Sequence, residues 1–155
     1  MRYRALMFSF LLSAGVVCLG GVINGSAGAS AVSVNVDPVF KAYRGVKLGM
    51  TASEARSALG DPKEKSDTED LYQPADGEEA RVFYDEAGKV RAISVMYTGD
   101  ISKAPTAKAV IGEDIPARED GGMFKRVEYE KQGYWVSYVK VAGDNPMIVI
   151  TMQAI

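Results

Sequence analysis

The chain has no histidine and a single cysteine, and these absences exclude several kinds of chemistry. Without histidine there can be no Ser-His-Asp or Cys-His catalytic machinery and no histidine metal site. The cysteine, Cys18, lies inside an apolar run near the start of the chain. If that run is removed, no thiol nucleophile, disulfide or thiolate metal site remains. We therefore expect neither a metal nor a cofactor.

The chain also has no excess of positively charged residues. The chain has 18 Lys and Arg residues against 20 Asp and Glu residues. Arg2 and Arg4 are the charged residues among the first 31, so the other 124 residues carry 16 basic and 20 acidic side chains, a net charge of −4. Such a chain has no electrostatic footprint for nucleic acid or anionic lipid, and we expect neither as a partner.

The first 31 residues have the composition of a signal peptide. A basic start is followed by an almost wholly apolar run at 5–23 and by small residues, with Ala27-Gly28-Ala29 or Ala29-Ser30-Ala31 as the cleavage site. The alternative is an uncleaved membrane anchor, because the 19-residue run approaches the roughly 20 residues that span a bilayer. We predict a signal peptide at 1–31, a domain at 32–155 and a periplasmic or secreted location, with membrane contact only through an uncleaved N-terminal segment.

A short helix is predicted between Thr51 and Gly60. Thr51 and Glu54 form a capping box, in which each side chain can bond the backbone N–H of the other residue. Gly60 suits the left-handed position that ends a helix, and Pro62 prevents continuation. At about two and a half turns the helix is too short to persist alone in water, so its apolar side should pack on a sheet or a second helix. That side consists of Ala55, Ala58 and Leu59.

The stretch around this helix, VKLGMTASEARSALGDP at 46–62, resembles the I-x-x-G-M-T-x-x-E-V-x-x-x-L-G-x-P signature of the SmpA/OmlA outer-membrane lipoprotein family and its β-lactamase-inhibitor-protein-like relatives. The matching positions are Val46, Gly49, Met50, Thr51, Glu54, Leu59, Gly60 and Pro62. The resemblance implies a small α+β module that works in the cell envelope by binding other proteins. The chain departs from the lipoprotein pattern, because Val17 stands where a small residue would precede a lipidated Cys18.

Alternating apolar and polar residues predict strands after the helix. The clearest hairpin joins 81–84 to 90–97 through a turn with Asp85 first and Gly88 late. Both sides of its second arm are largely apolar, so either side could face the helix. Further strands are expected at 71–72, 123–130, 134–141 and 147–154. Residues 32–37 form either a first strand or a linker, and a brief helix is expected at 39–43 after an Asp37-Pro38 start.

A second helix is predicted between Ser102 and Gly112. Its ending at 109–113 echoes the residues at 57–61, 52 positions earlier, and a hairpin follows in both cases. A duplication of a helix-plus-sheet unit that has since diverged would explain this similarity. The composition common to many helix C-termini would explain it equally well. We predict an α+β fold, with two short helices packed on one face of an antiparallel sheet of about five or six strands.

The richest aromatic patch lies in the hairpin at 129–138. If Trp135 and Val139 face the helices, Tyr134 and Tyr138 lie on the uncovered face. A tyrosine row there would bury much area at little entropic cost, as protein interfaces do. The alternative is that cross-strand aromatic pairs stabilise a half-buried sheet. The predicted binding residues are Tyr129, Tyr134, Trp135 and Tyr138.

No catalytic motif accompanies this patch, and we predict that the chain is not an enzyme. The acidic stretch at 61–79 could supply calcium ligands, but its spacing matches no EF-hand loop and a solvated loop explains it as well. Carboxylates could also serve glycoside hydrolysis, although nothing marks one pair over another. The predicted function is an exported, non-catalytic protein-binding module of the cell envelope, with an assembly or inhibitor-like role. The alternative is a periplasmic protein that binds a small ligand or metal ion in a pocket between sheet and helices.

Overall fold

The structure, a computed structural model, describes residues 32–33 and 37–155. The predicted signal peptide at 1–31, with its cleavage sites and Cys18, lies outside the described residues. The helices are α1 (Ala52–Leu59) and α2 (Ala107–Ile111). The strands are β1 (Val32–Ser33), β2 (Glu64–Lys65), β3 (Glu69–Ala75), β4 (Glu78–Tyr84), β5 (Val90–Thr98), β6 (Met123–Tyr129), β7 (Tyr134–Val141) and β8 (Met147–Ala154). Within these described ranges, neither helix has the length and apolarity that a membrane crossing requires.

The eight strands belong to one sheet, in the spatial order β1-β6-β7-β8-β5-β4-β3-β2. Strands β2 to β8 run antiparallel to their neighbours, and the two-residue β1 pairs in parallel with β6. Although β8 comes last along the described chain, it lies between β5 and β7 in the middle of the sheet. The α+β prediction is therefore confirmed, but the fold is dominated by strands and the predicted number of five or six is too low.

One additional strand, β2, comes from the acidic stretch before the hairpin, and β3 extends the strand expected at 71–72 to Glu69–Ala75. β2 lies at the edge of the sheet and pairs with β3 through Glu64↔Leu71 and Lys65↔Asp70. Both residues of β2 are exposed, and the last three residues of β3 are exposed as well. Because a solvated edge strand buries few side chains, it shows little of the alternation by which strands are recognised in a sequence.

Helix α1 begins and ends where the sequence predicts. The Thr51 hydroxyl accepts a hydrogen bond from the Glu54 backbone N–H at 3.3 Å, and the Thr51 N–H donates to Glu54 Oε2 at 2.8 Å. Gly60 ends the helix with a positive φ of 85°. The Ala52 N–H donates to the carbonyl of Gly88 at 2.9 Å, which attaches the helix start to the turn between β4 and β5. Ala55 is fully buried, whereas Ala58 is exposed and Leu59 half-buried.

Two helix predictions need correction. The segment predicted as a helix from Ser102 to Gly112 is divided into a 3₁₀ turn at Ile101–Lys103 and helix α2. Pro105 explains the break, because it disfavours the helical conformation at the preceding residue, and Ala104 is extended with ψ 149°. Residues 39–43 are not helical. Instead, Tyr43 and Val46 exchange two backbone hydrogen bonds in a tight turn that buries both side chains in the core.

The sheet has a covered face, on which α1 and α2 pack, and an opposite side that we call the open face. The strand register aligns a fully buried row across the covered face, in which no residue is more than 3 % exposed. The row consists of Tyr138, Ile150, Val95, Ala80 and Tyr72. In the second arm of the predicted hairpin, Val95 and its alternate neighbours therefore face the helices, and Ser94 and Met96 face the other way.

Candidate functional site

Cross-strand pairing arranges the side chains of the open face in rows. One row, which we call the apolar row, runs from β6 to β5. It consists of Phe124, Val139, Val149 and Met96. The next row is polar and contains Arg126, Ser137, Thr151, Ser94 and Arg81. A third row contains Glu128, Trp135, Gln153, Ala92 and Phe83.

The apolar row is accessible to solvent. Phe124 is 38 % exposed, and its three partners in the row are half-buried. Val141, which continues the same strip on β7, is 41 % exposed. Contiguous apolar side chains that remain exposed on a protein surface commonly mark a place where another molecule binds. This strip is the best candidate for such a place among the described residues.

Members of the polar row contact one another and the acidic side chains of neighbouring rows. The Ser94 and Thr151 hydroxyls lie 3.3 Å apart. Arg81 forms ion pairs with Glu69 at 2.8 Å and with Glu79 at 3.0 Å. These charged side chains are all at least a third exposed, so their ion pairs contribute little to stability.

A stacked pair of side chains stands at the β6–β7 end of the open face. The guanidinium carbon of Arg126 lies 4.4 Å from the ring centroid of Trp135, close enough for a cation–π interaction. Arg126 Nη2 also donates to Glu128 at 2.5 Å. The Arg126 Nε atom is buried without a hydrogen-bond partner among the described residues. Trp and Arg are the residue types most enriched at the centres of protein interfaces.

The predicted tyrosine row does not lie on the open face. Tyr129 is 2 % exposed and Tyr138 3 % exposed, and both belong to the core cluster on the covered face. Tyr134 faces the same side, where its hydroxyl donates to the carbonyl of Phe40 at 3.3 Å. Of the four predicted binding residues, Trp135 alone lies on the open face. The orientation of β7 is thus the reverse of the one we assumed, since both of its sides are apolar enough to face a core.

The apolar row was therefore missing from the sequence prediction. The sequence of β7 and β8 does contain a signal for this row. Val139 and Val149 are apolar, although they occupy the positions between the residues that are buried on the covered face. An apolar residue on both sides of a strand indicates that both sides bury something. The sequence pattern could have predicted two apolar faces without saying which one the helices cover.

A buried carboxylate cluster connects α1 to the sheet. Asp70 is fully buried and accepts hydrogen bonds from Arg56 Nε at 2.8 Å, from Arg56 Nη2 at 3.0 Å and from the Tyr84 hydroxyl at 2.6 Å. The Tyr72 hydroxyl donates to it at 3.3 Å. Burial tends to raise the pKa of Asp70, but these hydrogen bonds outweigh burial and hold the pKa below its ordinary value.

A second cluster of the same composition lies further along the covered face. Glu78 accepts hydrogen bonds from the Tyr43 hydroxyl at 2.7 Å and from Arg44 Nη2 at 2.9 Å. Burial opposes ionisation here too, but the bonds from Arg44 and Tyr43 lower the pKa of Glu78. Tyr97 lies beside this carboxylate, and its pKa is raised to about 12 by burial and by Glu78. Both carboxylates are ionised and bonded to arginine, an arrangement that stabilises the fold and supplies no general acid at neutral pH.

The acidic stretch at 61–79 is part of the sheet rather than a free loop. It supplies β2, β3 and the start of β4, and two of its acidic side chains, Glu69 and Glu79, pair with Arg81. In the part of the chain that the structure describes, no three acidic, cysteine or histidine side chains lie close enough to hold a metal ion.

The comparisons with known proteins give one distant structural neighbour. A DUF4309 family protein (YjgB) from Bacillus subtilis subsp. subtilis str. 168 matches with 15 % sequence identity and a TM-score of 0.43, over 68 % of this chain and 78 % of that one. No family model matches the chain, and no curated protein matches it either.

Proposed function

We propose that the chain is an exported, non-catalytic protein-binding module of the cell envelope, and that its partner binds on the open face. The observation that carries the proposal is the accessible apolar row on a sheet face opposite the helices. A partner that covered Phe124 and Val141 would remove apolar surface from water, which is the main favourable term in protein association. The Arg126–Trp135 pair would supply an aromatic and a charged anchor beside it.

The role in envelope assembly or inhibition, and the kinship with SmpA/OmlA-type proteins, belong to the same proposal. They are supported by the resemblance at 46–62 and by the capped helix that this stretch forms. We also propose that the chain is a worn duplication, with α1 and β2–β5 as one unit and α2 and β6–β8 as the other. Each helix ends at a glycine with positive φ, 85° at Gly60 and 92° at Gly112.

The experiment that tests the binding surface is capture of partners from envelope extract by variants of the open face. Phe124→Ser and Trp135→Ala should each weaken capture about tenfold, because truncation of a central interface residue commonly costs that much. Val39→Ser is the matched control, since Val39 is an exposed apolar residue outside the sheet, 55 % accessible.

Each variant must first keep the circular dichroism spectrum and melting temperature of the original protein. If folded Phe124→Ser and Trp135→Ala variants retain every partner, the open face is not the binding surface. If Val39→Ser loses partners as strongly, the effect is not specific to the open face.

Export is tested separately by the mass of the protein purified from the cell. Cleavage after Ala29 or Ala31 leaves a chain that starts at Ser30 or Val32, and either mass supports export through a removed signal peptide. An intact Met1 start in a membrane fraction would support the N-terminal anchor instead.

A further inference from the structure

A groove lies between the covered face of the sheet and the segment that contains α2. Its volume is about 390 Å³, within the range of about 300–1,000 Å³ typical of small-molecule sites. Its walls are largely apolar and come from both layers. They include Ile101, Ala104, Ile115, Met123 and Ile148. The groove is on the opposite side of the sheet from the apolar row.

Tyr138 lines this groove and has an unused hydroxyl. The side chain is 3 % exposed, yet its hydroxyl makes no hydrogen bond with any described residue. The oxygen is not sealed from solvent, so a molecule in the groove can reach it. Burial raises the pKa of Tyr138, which keeps the hydroxyl protonated and able to donate at neutral pH. The hydroxyl is therefore free to donate a hydrogen bond to an acceptor that enters the groove.

Lys140 also lines the groove, two residues further along β7 and on the same side of the strand. No carboxylate of the described residues lies within ion-pair distance of it. Two other charged side chains close to the groove belong to ion pairs. Asp114 lies 4.0 Å from Lys108, and Lys125, opposite Tyr138 in the register, lies 2.5 Å from Glu113. Lys140 is therefore a cation in the groove lining that has no ion pair among the described residues.

An apolar wall beside one unpaired ammonium and one unused hydroxyl is complementary to an amphipathic anion. A carboxylate has two acceptor oxygens, so it can take one hydrogen bond from each donor at the same time. An aliphatic chain attached to it would be removed from water along Ile115 and Ile148. A phosphate dianion would bring two negative charges, which is more than Lys140 alone neutralises.

We propose that this groove binds a small aliphatic monocarboxylic acid, with its carboxylate between Lys140 Nζ and the Tyr138 hydroxyl and its chain along the apolar wall. This site is separate from the open face, so it stands or falls independently of the protein-binding proposal. It assigns a ligand class to the space between sheet and helices.

The test is a titration of the protein, purified in its natural form, with three probes of equal chain length: octanoate, octanol and octylammonium. Octanoate should shift the amide NMR signals of groove residues such as Ala104, Ile115 and Lys140. Octanol should bind about tenfold more weakly, because it lacks the charge-assisted hydrogen bonds. Octylammonium should cause no saturable shift, because its charge is repelled by Lys140.

Two variants separate ligand recognition from a structural role. Lys140→Met and Tyr138→Phe keep the volume of the side chain, and each should weaken octanoate binding about tenfold while weakening octanol binding much less. Lys131→Met is the matched control, since Lys131 is exposed in the turn between β6 and β7, and it should change neither affinity.

Three results would overturn the proposal. They are equal affinity for octanoate and octanol, an unchanged octanoate affinity in folded Lys140→Met, and shifts confined to the open face. Perturbation of the groove by an apolar peptide but not by octanoate would also overturn it and would identify the groove as a peptide site. Lys140→Met should leave capture of envelope partners intact, so failure of this proposal is distinguishable from failure of the protein-binding one.

Discussion

Arg56 of α1 and Asp70 of β3 are joined by two parallel hydrogen bonds, from Nε to Oδ2 at 2.8 Å and from Nη2 to Oδ1 at 3.0 Å. The Asp70 side chain has no solvent exposure, and the Arg56 side chain is 25 % exposed. Their two-point contact fixes both the position and the rotation of a helix that is only eight residues long. The helix depends on such contacts because its own backbone bonds cannot sustain it.

We expect Asp70→Asn to lower the free energy of unfolding by about 2–4 kcal/mol, because it leaves the Arg56 charge without its counterion. Urea denaturation measures this change. Glu69→Gln is the control: it removes an ion pair with Arg81 in which both side chains are more than a third exposed, so it should cost less than about 1 kcal/mol. Equal effects of the two substitutions would show that Asp70 and Arg56 do not hold the helix.

Stability should fall in acid through Asp70 and Glu78. Hydrogen bonds from arginine and tyrosine hold the pKa of each carboxyl below its ordinary value. A lowered pKa in the folded state adds stability that is present above about pH 4 and is lost as the pH falls through the folded pKa. Urea titrations at several pH values should therefore show a steep loss below about pH 4 and a smaller loss in Asp70→Asn. Parallel curves for the two proteins would contradict this assignment.

Alkaline pH should unfold the protein together with ionisation of its tyrosines. All seven described tyrosines have raised pKa values, to about 12 for Tyr72, Tyr97 and Tyr134, with burial as the main cause. A raised pKa contributes stability that is complete below about pH 10 and is lost as the pH rises through the folded pKa. Tyrosinate absorbance should therefore appear only as circular dichroism is lost. Ordinary titration near pH 10 with the fold intact would show that the rings are accessible.

The orientation of β7 predicts opposite outcomes for two neighbouring aromatic substitutions. Tyr138→Ala removes a buried ring and should cost about 3 kcal/mol or more. Trp135→Ala removes a half-buried ring from the open face and should cost about 1–2 kcal/mol. Thermal or urea unfolding of the two variants shows which side of β7 the helices cover. If Trp135→Ala proved the more damaging, the helices would cover the other side of the strand.

Two turn glycines provide a matched test of a close backbone approach. A Cβ at Gly77 would lie 2.4 Å from the carbonyl oxygen of Thr98, whereas a Cβ at Gly88 would meet nothing within 4 Å. Their φ angles are similar, 74° and 69°. Gly88→Ala should therefore cost about 1 kcal/mol for the left-handed conformation alone, and Gly77→Ala about 1–3 kcal/mol more, because backbone must move. Equal losses of unfolding free energy in urea denaturation would mean that the backbone at Thr98 moves away from the added Cβ at little cost.

Local signals in the sequence were sufficient for α1 and for the β4–β5 hairpin. The capping bonds of Thr51 and the turn around Gly88 depend on residues a few positions apart, so their chemistry can be read directly. Pro105 is a local signal as well, because it disfavours the helical conformation at Ala104. The prediction of one continuous helix over 102–112 does not allow for this effect, and the helix is broken there.

Features that depend on distant parts of the chain were not predictable in the same way. The side of β7 that faces the core is chosen by α2, because Val136 and Val139 are equally suited to burial. The pairing of Asp70 with Arg56 joins residues 14 positions apart on different elements, and no sequence period marks it. The candidate site could not be predicted for the same reason, because the apolar row forms only when four strands pair in register.

The place of β8 between β5 and β7 has a consequence for biogenesis. Until Met147–Ala154 is available for pairing, the β2–β5 meander and the β6–β7 hairpin cannot join into one sheet, and β5 and β7 each keep a long bare edge. Bare strand edges pair readily with other chains, so the incomplete sheet is prone to aggregation until β8 takes its place. Deletion of Met147–Ala154 should therefore leave two unpaired groups of strands that aggregate, rather than a slightly smaller folded domain.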